Sequence, residues 1–157
     1  MNNIKTQPTL YVLVGAPAAG KSTWVKQEIG NCAYISTDHF VDEYAAAQGK
    51  TYNEVFKEYM PVAVRRMSDA VIAARTAGQN IIWDQTSMTV ASRRKKFNML
   101  PTYYSIAVVF PTPSPVEHAK RLASRPGKSI PSSVVADMIN RFEMPTIAEG
   151  FDEVWKL

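Results

Sequence analysis

The segment that most constrains the fold is Gly15–Ser22, which reads GAPAAGKS. It follows a continuous apolar run, Leu10–Val14, of the kind that forms a strand buried on both faces. The segment matches the pattern G-x-x-x-x-G-K-[ST], and its position between a strand and a helix is typical of a phosphate-binding loop. Its two glycines permit tight turns in which successive backbone N–H groups point at phosphate oxygens. The sequence therefore predicts that the chain binds a nucleoside triphosphate.

Residues of this loop are expected to hold both the triphosphate and its metal ion. The Lys21 ammonium should reach the β- and γ-phosphates, and the Ser22 hydroxyl should bind Mg²⁺. A helix predicted over Ser22–Ile29 adds the positive end of its dipole, and Thr23 either assists or caps that helix. The predicted ATP-binding residues are Gly15, Ala18, Ala19, Gly20, Lys21, Ser22, Thr23, Arg121 and Arg125.

Strand and helix signals alternate along the remaining chain. Such alternation predicts an α/β fold, a parallel sheet with helices on both faces, and the 157 residues suit one domain over 1–157. In the clearest helix, Pro61 to Ala77, Pro61 is expected in the first turn and Gly78 at the stop. Further strands are predicted at Ala33–Ile35, Ile81–Trp83, Tyr103–Phe110 and Val154–Leu157, and further helices within 39–60 and at Ala91–Leu100, Pro115–Ser124 and Ser133–Phe142.

Two carboxylates end the second and third predicted strands, and ligands of open parallel sheets bind at those strand ends. Asp38 and Asp84 suit the two acidic roles of a kinase that phosphorylates an alcohol: a base for the hydroxyl proton and a ligand for Mg²⁺ or its waters. The sequence alone does not decide which of the two carboxylates takes which role. The alternatives are an N-cap for Asp38 and a loop cap for Asp84.

Two arginines precede a short Pro–Gly loop that could close over the triphosphate as a lid. Arg121 and Arg125 are four residues apart, so they share a helix face. An arginine delivered by such a lid stabilises the transferring phosphoryl group. The alternative is a pair of solvated helix arginines, and a contact of Arg121 with adenine is a further conjecture. Both histidines, His39 and His118, are interpreted as ordinary surface or loop residues.

Basic residues are concentrated in the middle of the chain. Residues 93–128 hold eight bases and one acid, Glu117, whereas the whole chain has a net charge of +4. A segment this basic suits a phosphate-rich partner such as DNA or RNA. The alternative for its densest part, Arg93–Lys96, is a solvated helix face.

Cysteine content and hydropathy bear on the compartment. The sole cysteine, Cys32, excludes an intrachain disulfide and a cysteine-based zinc site. The N-terminus has no signal-peptide pattern, and no apolar run approaches the ~20 residues of a membrane span. We therefore expect a cytoplasmic protein with no membrane contact.

These motifs together resemble the kinase domain of phage-type polynucleotide 5′-hydroxyl kinases, within the small P-loop kinases. The loop GAPAAGKSTW is similar to that family's GxPGSGKSTW, and Tyr34–Asp38 to its hydrophobic-x-x-D segment. Asp84–Ser87 and the arginines after it resemble its D-x-T-N stretch. The segment Lys120–Pro131 matches its lid pattern, KR-x-x-x-R-x-x-K-x-x-P, at every fixed position.

The resemblance implies the P-loop kinase fold, with a sheet in the order 2-3-1-4-5 and a short lid. It implies Lys21 and Ser22 for ATP and Mg²⁺, Asp38 as the general base, and Arg125 as the lid arginine at the γ-phosphate. Two residues depart from the family pattern and concern the acceptor: Val41 replaces an arginine and Ser87 an asparagine. The acceptor-binding residues it implies are Asp38, Asp84, Thr86, Arg93 and Arg94.

The first functional hypothesis is therefore an ATP-dependent kinase of a nucleic-acid hydroxyl, with the 5′-OH end of a polynucleotide as acceptor. A hydroxymethylated base in DNA keeps the same chemistry and is modestly favoured by Val41. A small molecule such as a nucleoside or sugar needs no long basic groove. A non-catalytic nucleotide-binding module is disfavoured because it needs neither a base nor a lid arginine.

Overall fold

A central parallel sheet organises the computed structural model, which describes residues 7–28 and 30–157. In these ranges five strands form one sheet in the order β2-β3-β1-β4-β5, which confirms the predicted α/β fold and strand order. The strands are β1 Thr9–Val14, β2 Cys32–Ile35, β3 Asn80–Asp84, β4 Tyr104–Val109 and β5 Glu153–Lys156. The helices are α1 Lys21–Glu28, α2 Thr37–Gln48, α3 Tyr52–Thr76, α4 Val90–Met99, α5 Pro115–Ala123 and α6 Ser132–Asn140, with a 3₁₀ turn at Ile147–Glu149.

Two sequence predictions fall outside the described residues. One is the end of the first helix at Ile29, and the other is the absence of a signal pattern at the N-terminus, residues 1–6.

Strand β1 lies at the centre of the sheet, paired in parallel with β3 and β4. Its register places Leu13 opposite Asp84 and Val14 opposite Val109, so these strands end at the same edge. Strand β2 reaches that edge beside β3, with Ile35 opposite Trp83. The phosphate loop and the residues that follow β2 and β3 therefore begin at the same edge of the sheet.

Apolar side chains cover both faces of the sheet, as predicted. On one face, Val12 of β1 belongs to a core that includes Val71 of α3 and Leu100 after α4. On the other, Leu13 packs in a core with Val25 of α1. The phosphate loop is thus held between an interior strand and a packed helix, which restricts its movement.

Helix α3 corrects the predicted position of Pro61. The helix begins after Thr51, whose side chain accepts from the Glu54 N–H while the Glu54 carboxylate accepts from the Thr51 N–H. This capping box starts the helix nine residues before Pro61, which therefore lies in its interior. Packing of α3 against α2 and the sheet outweighs the backbone hydrogen bond that proline cannot donate. In the described ranges, neither α3 nor any other helix is long and apolar enough to cross a membrane.

Arg93 is a core residue, which is incompatible with the predicted contact to an acceptor phosphate. It is fully buried, and its Nε lies 2.6 Å from Oε1 of Glu149, whose side chain is only 6% exposed. Its Nη atoms donate to the carbonyls of Ser87, at 2.8 Å, and Glu143, at 2.9 Å. Arg93 therefore ties α4 and the 3₁₀ turn to the loop after β3. Its neighbour Arg94 is exposed.

We expect Arg93→Met to lower the free energy of unfolding by about 3–5 kcal/mol, because the Glu149 carboxylate would stay buried without its partner. Arg94→Met is the matched control and should cost less than about 0.5 kcal/mol. Urea denaturation followed by circular dichroism measures both values. Equal decreases in the two variants would contradict the structural role of Arg93.

Candidate active site

The phosphate loop has the backbone geometry that anion binding requires. Ala18 and Gly20 have positive φ angles of 59° and 104°. Conformations of this kind turn successive N–H groups toward a common point, and α1 adds the N-terminal end of its dipole. At Gly15 a side chain would meet Cβ of Phe110 at 3.0 Å, so glycine also serves the packing there. The loop can therefore receive a phosphate without refolding.

Lys21 lies folded over the loop. Its Nζ donates to the carbonyls of Gly15, at 2.8 Å, and Ala16, at 2.9 Å. Burial lowers the pKa of Lys21 to about 8, while the carboxylates of Asp84 and Asp38 oppose that shift. The ammonium is thus held at the loop with part of its charge uncompensated, and an anionic ligand would stabilise it.

Two contacts from distant elements brace the loop. The Gly15 N–H donates to the carbonyl of Thr86 at 3.0 Å, which joins the loop to the end of β3. His118 Nε2 lies 2.8 Å from the carbonyl of Pro17 and donates to it, since a carbonyl only accepts. The structure thus corrects the interpretation of His118 as a surface or loop residue, because it is 5% exposed and anchors the loop to α5.

Asp84 is a buried carboxylate at the edge of the sheet. Its Oδ2 accepts from the Tyr34 hydroxyl at 2.5 Å. Burial raises the pKa of Asp84, while the Tyr34 hydrogen bond and the Lys21 charge oppose that rise. Burial and this carboxylate also raise the pKa of Tyr34, so the phenol remains a donor.

Asp38 lies in the first turn of α2 with its side chain 52% exposed. The N-cap of α2 is Ser36, whose hydroxyl accepts from the His39 N–H, so Asp38 is not needed as the cap. Its Oδ1 accepts from the Tyr52 hydroxyl at 2.7 Å, and its Oδ2 lies 3.4 Å from Lys128 Nζ. The carboxylate is therefore oriented yet open to the cleft.

The lid arginines differ in their surroundings. Arg121 pairs with Glu117 at 2.9 Å and lies 3.5 Å from the Ala18 carbonyl. Nη1 of Arg125 is buried and, within the described residues, has no hydrogen-bond partner. A buried guanidinium nitrogen without an acceptor is costly unless a ligand supplies one, so its surroundings suit a bound anion.

One cleft of about 1250 Å³ collects these groups. Its lining includes Ser22 and Asp84, and hydroxyl and carboxylate oxygens are ligands that Mg²⁺ accepts alongside substrate phosphates. The residues present therefore fit a magnesium ion bound together with a nucleotide. Of the predicted site residues, the lining includes Ala18, Ala19, Gly20, Lys21, Ser22, Thr23, Asp38, Asp84, Thr86, Arg121 and Arg125. Among the described residues that line the cleft, none comes from α4, so Arg93 and Arg94 lie outside it.

Sequence reasoning missed three polar residues that shape the site, Tyr34, Tyr52 and His118, and gave a fourth, Lys128, only as a fixed position of the lid pattern. Tyr34 stands four residues before Asp38, so the alternation of a strand could have suggested that its side chain faces the site. The other three come from α3, α5 and the lid, and their contacts depend on packing between distant segments. No local sequence pattern predicts such contacts.

Comparison with known proteins identifies the family and the fold. The AAA_33 family, described as an AAA domain, matches residues 10–145. A chain of the Pnkp1/Rnl/Hen1 RNA repair complex is similar with a TM-score of 0.67 and 24% identity, over 89% of this chain and 45% of that chain. Shikimate kinase from Acinetobacter baumannii in complex with shikimate has a TM-score of 0.56 and 18% identity, over 98% and 85% of the two chains.

A gluconokinase from Sinorhizobium meliloti 1021 has a TM-score of 0.53 and 18% identity, over 96% of this chain and 82% of that chain. At these identities the likeness shows the P-loop kinase fold. The chain spans less than half the length of the chain that it matches in the RNA repair complex.

The lowered pKa of Lys21 leads to a dependence of stability on pH. The unfolded chain keeps its lysine protons up to about pH 10.4, whereas folded Lys21 loses its proton near pH 8. The unfolded state then binds more protons, so stability rises between these values. From pH 7 to 9.5 we expect Lys21 to add about 1–2 kcal/mol to the free energy of unfolding.

Denaturation of Lys21→Met at both pH values tests this expectation, because the variant should lack that part of the rise. Lys96, which burial also gives a pKa of about 8, contributes equally to both proteins and cancels. Lys26→Met, an exposed change on the same helix, should retain the full rise. A wild-type rise in Lys21→Met would show that the ammonium is not desolvated.

Proposed function

We propose that this chain, which belongs to the AAA_33 family, is an ATP-dependent kinase that transfers a phosphoryl group to a hydroxyl. The observation that carries the proposal is the content of one cleft: the Lys21 ammonium, the Asp38 and Asp84 carboxylates, and a buried nitrogen of Arg125 without a partner among the described residues. A nucleotide-binding module needs the first of these groups but not the others. Together they supply the three requirements of phosphoryl transfer, which are donor binding, a base and charge stabilisation.

The donor would lie with its phosphates on the loop that joins β1 to α1. Backbone N–H groups around Ala18 and Gly20 would bind the phosphates, and Lys21 would exchange its two carbonyl acceptors for phosphate oxygens. Mg²⁺, held by Ser22 and Asp84, supplies neutralisation of phosphate charge when it is bound.

In the transfer step, the acceptor oxygen forms a bond to the γ-phosphorus while the bond to the β–γ bridging oxygen breaks, and ADP leaves. The acceptor's proton passes to Asp38, whose carboxylate Tyr52 orients. Arg125 stabilises the charge on the transferring group, since its guanidinium reaches the cleft from the lid.

For the acceptor, we propose a nucleic-acid hydroxyl, with the 5′-OH end of a polynucleotide as the first candidate. The lid pattern Lys120–Pro131 and the fold likeness to a chain of an RNA repair complex support it. Any phosphate contact from α4 would have to come from its exposed bases, Arg94 and Lys95, outside the cleft.

A specific observation favours a second candidate, a small hydroxyl compound. Around Asp38 the cleft presents Asp42, Tyr52, Asn53 and Phe56, and the nearby cation, Lys128, is paired with carboxylates. A lining of this kind suits an uncharged acceptor better than a phosphate chain. At the position of the family arginine stands Val41, which is fully buried and therefore cannot contact any acceptor.

Asp38→Asn should lower phosphoryl transfer by about 10²–10⁴-fold, because the amide keeps the shape of the side chain but cannot accept the proton. ATP affinity, measured by calorimetry, should stay within about twofold of the wild type. A normal rate in a folded Asp38→Asn variant would remove Asp38 as the base.

Profiling acceptors with labelled ATP tests the nature of the hydroxyl. Under the polynucleotide proposal, 5′-OH oligonucleotides should be labelled faster than nucleosides, sugars or DNA containing a hydroxymethylated base. Neutralising Arg94 and Lys95 should then reduce the slope of log affinity for the oligonucleotide against log salt by about 0.7–0.9 for each phosphate that these side chains neutralise. Equal labelling of a free nucleoside or sugar would favour the small-molecule kinase.

A further inference from the structure

Four consecutive carbonyl groups of the phosphate loop accept hydrogen bonds from basic side chains. In chain order, the acceptors are the carbonyls of Gly15, Ala16, Pro17 and Ala18. Lys21 bonds to the first two, at 2.8 and 2.9 Å. The third lies 2.8 Å from His118 Nε2, and the fourth lies 3.5 Å from Nη1 of Arg121. One turn of α5 therefore holds the second half of this row of carbonyls.

The His118 bond falls on the central peptide of a tight turn. The Ala19 N–H donates to the Ala16 carbonyl at 3.3 Å, which closes a turn over four residues. The two central residues are Pro17 and Ala18. Proline fixes a negative φ at the first central position, whereas Ala18 has a φ of +59° at the second. Among the classes of hydrogen-bonded turn, this combination defines type II.

The orientation of the central peptide decides whether the turn can bind a phosphate. Types I and II differ mainly by a rotation of about 180° of the peptide that joins the two central residues. Here the Pro17 carbonyl points to His118, so the Ala18 N–H, on the opposite side of the same planar peptide, points away from α5. Ala18 lines the cleft, and its N–H has no acceptor within residues 7–28 and 30–157. That N–H is free to bind a phosphate oxygen.

Alanine is a poor residue for the second central position of a type II turn. The position requires a positive φ, which glycine adopts readily and a residue with a Cβ does not. With alanine the isolated turn favours type I, in which the Pro17 carbonyl would replace the Ala18 N–H on the cleft side. The bond from His118 opposes that rotation. Because His118 is only 5% exposed, water competes little for the Pro17 carbonyl.

We propose that His118 is a positioning residue for phosphate binding, because its bond to the Pro17 carbonyl holds the turn in the form that directs the Ala18 N–H into the cleft. The inference rests on the proposed binding of nucleotide phosphates by this loop. When those phosphates bind, Lys21 exchanges its carbonyl acceptors for phosphate oxygens. His118 is not among the described residues that line the cleft, so it keeps its bond to Pro17 in the free and the bound protein.

The first test is the affinity for ADP with Mg²⁺, measured by calorimetry. His118→Phe keeps a planar ring but donates no hydrogen bond, so part of the free protein should adopt the type I turn. Affinity should then fall by about three- to tenfold, in proportion to the fraction of loop that remains competent. His118→Gln should stay within about twofold of the wild type, because its amide nitrogen lies as many bonds from the backbone as Nε2 and is a donor.

Ala18→Gly tests whether His118 acts through the turn. Glycine favours the type II turn without outside support, so His118→Phe should cost less than about twofold in ADP affinity when it is combined with Ala18→Gly. A general loss of packing around α5 would instead lower the affinity equally with and without Ala18→Gly. Circular dichroism verifies folding of each variant, and His118→Met replaces His118→Phe in every comparison if the latter does not fold.

NMR of the ligand-free protein reports the orientation of the peptide directly. In the type II turn the α-proton of Pro17 lies close to the amide proton of Ala18, and rotation to type I separates them. The nuclear Overhauser enhancement between these protons should be strong in the wild type and in His118→Gln, and weaker in His118→Phe. Adding Ala18→Gly to His118→Phe should restore it.

The inference is overturned if the folded His118→Phe variant binds ADP as the wild type does, if its loss of affinity persists in full with Ala18→Gly, or if its Overhauser enhancement equals that of the wild type. Failure of the proposed function would look different, since the wild type itself would then not bind ADP. Normal ADP binding by the wild type, with no effect of His118→Phe, would remove only the role of His118.

Discussion

The position of β1 between β3 and β4 is the constraint on which the site depends. It makes the phosphate loop an extension of the most interior strand, and the hydrogen bond from the Gly15 N–H to the Thr86 carbonyl joins that loop to the end of β3. Arg93 holds the loop after β3 in place, because its guanidinium donates a hydrogen bond to the Ser87 carbonyl. These two hydrogen bonds connect the phosphate loop, through the residues that follow Asp84, to the buried ion pair of Arg93 with Glu149.

The cationic side chains around the cleft differ in how completely their charges are paired. Two of the cations that face the cleft, Lys21 and Arg125, have charges that the protein satisfies only in part, because one is desolvated and the other has a buried nitrogen without an acceptor among the described residues. The cation near Asp38, Lys128, already has two carboxylate partners. We therefore expect a polyanion to bind at the phosphate loop and under the lid. The region around Asp38 suits a group that carries a hydroxyl and little charge.

The elements that the sequence predicted correctly are those whose signals are local. The phosphate loop and the placement of Asp38 and Asp84 at one edge follow from motif spacing and from the rule for parallel sheets. The strand order, by contrast, was implied only by the resemblance to a kinase family. The prediction that Arg93 contacts the acceptor was wrong because a run of four basic residues looks solvated in sequence, while the helix buries Arg93 and Lys96 and pairs Arg93 with Glu149. The prediction for Pro61 was wrong because a capping box nine residues earlier starts the helix, and packing then tolerates the proline.

The same distinction explains why the donor is easier to assign than the acceptor. Phosphates are bound by backbone geometry that one contiguous segment encodes, so a short motif suffices. The region that we propose for the acceptor lies between the start of α2, the start of α3 and the lid, and its contacts join residues such as Asn53 and Ser129 that lie 76 positions apart. Changes in any one of these elements reshape the acceptor pocket while the donor loop stays the same. The acceptor must therefore be determined from the packing of α2, α3 and the lid, and from the charges that this packing leaves unpaired.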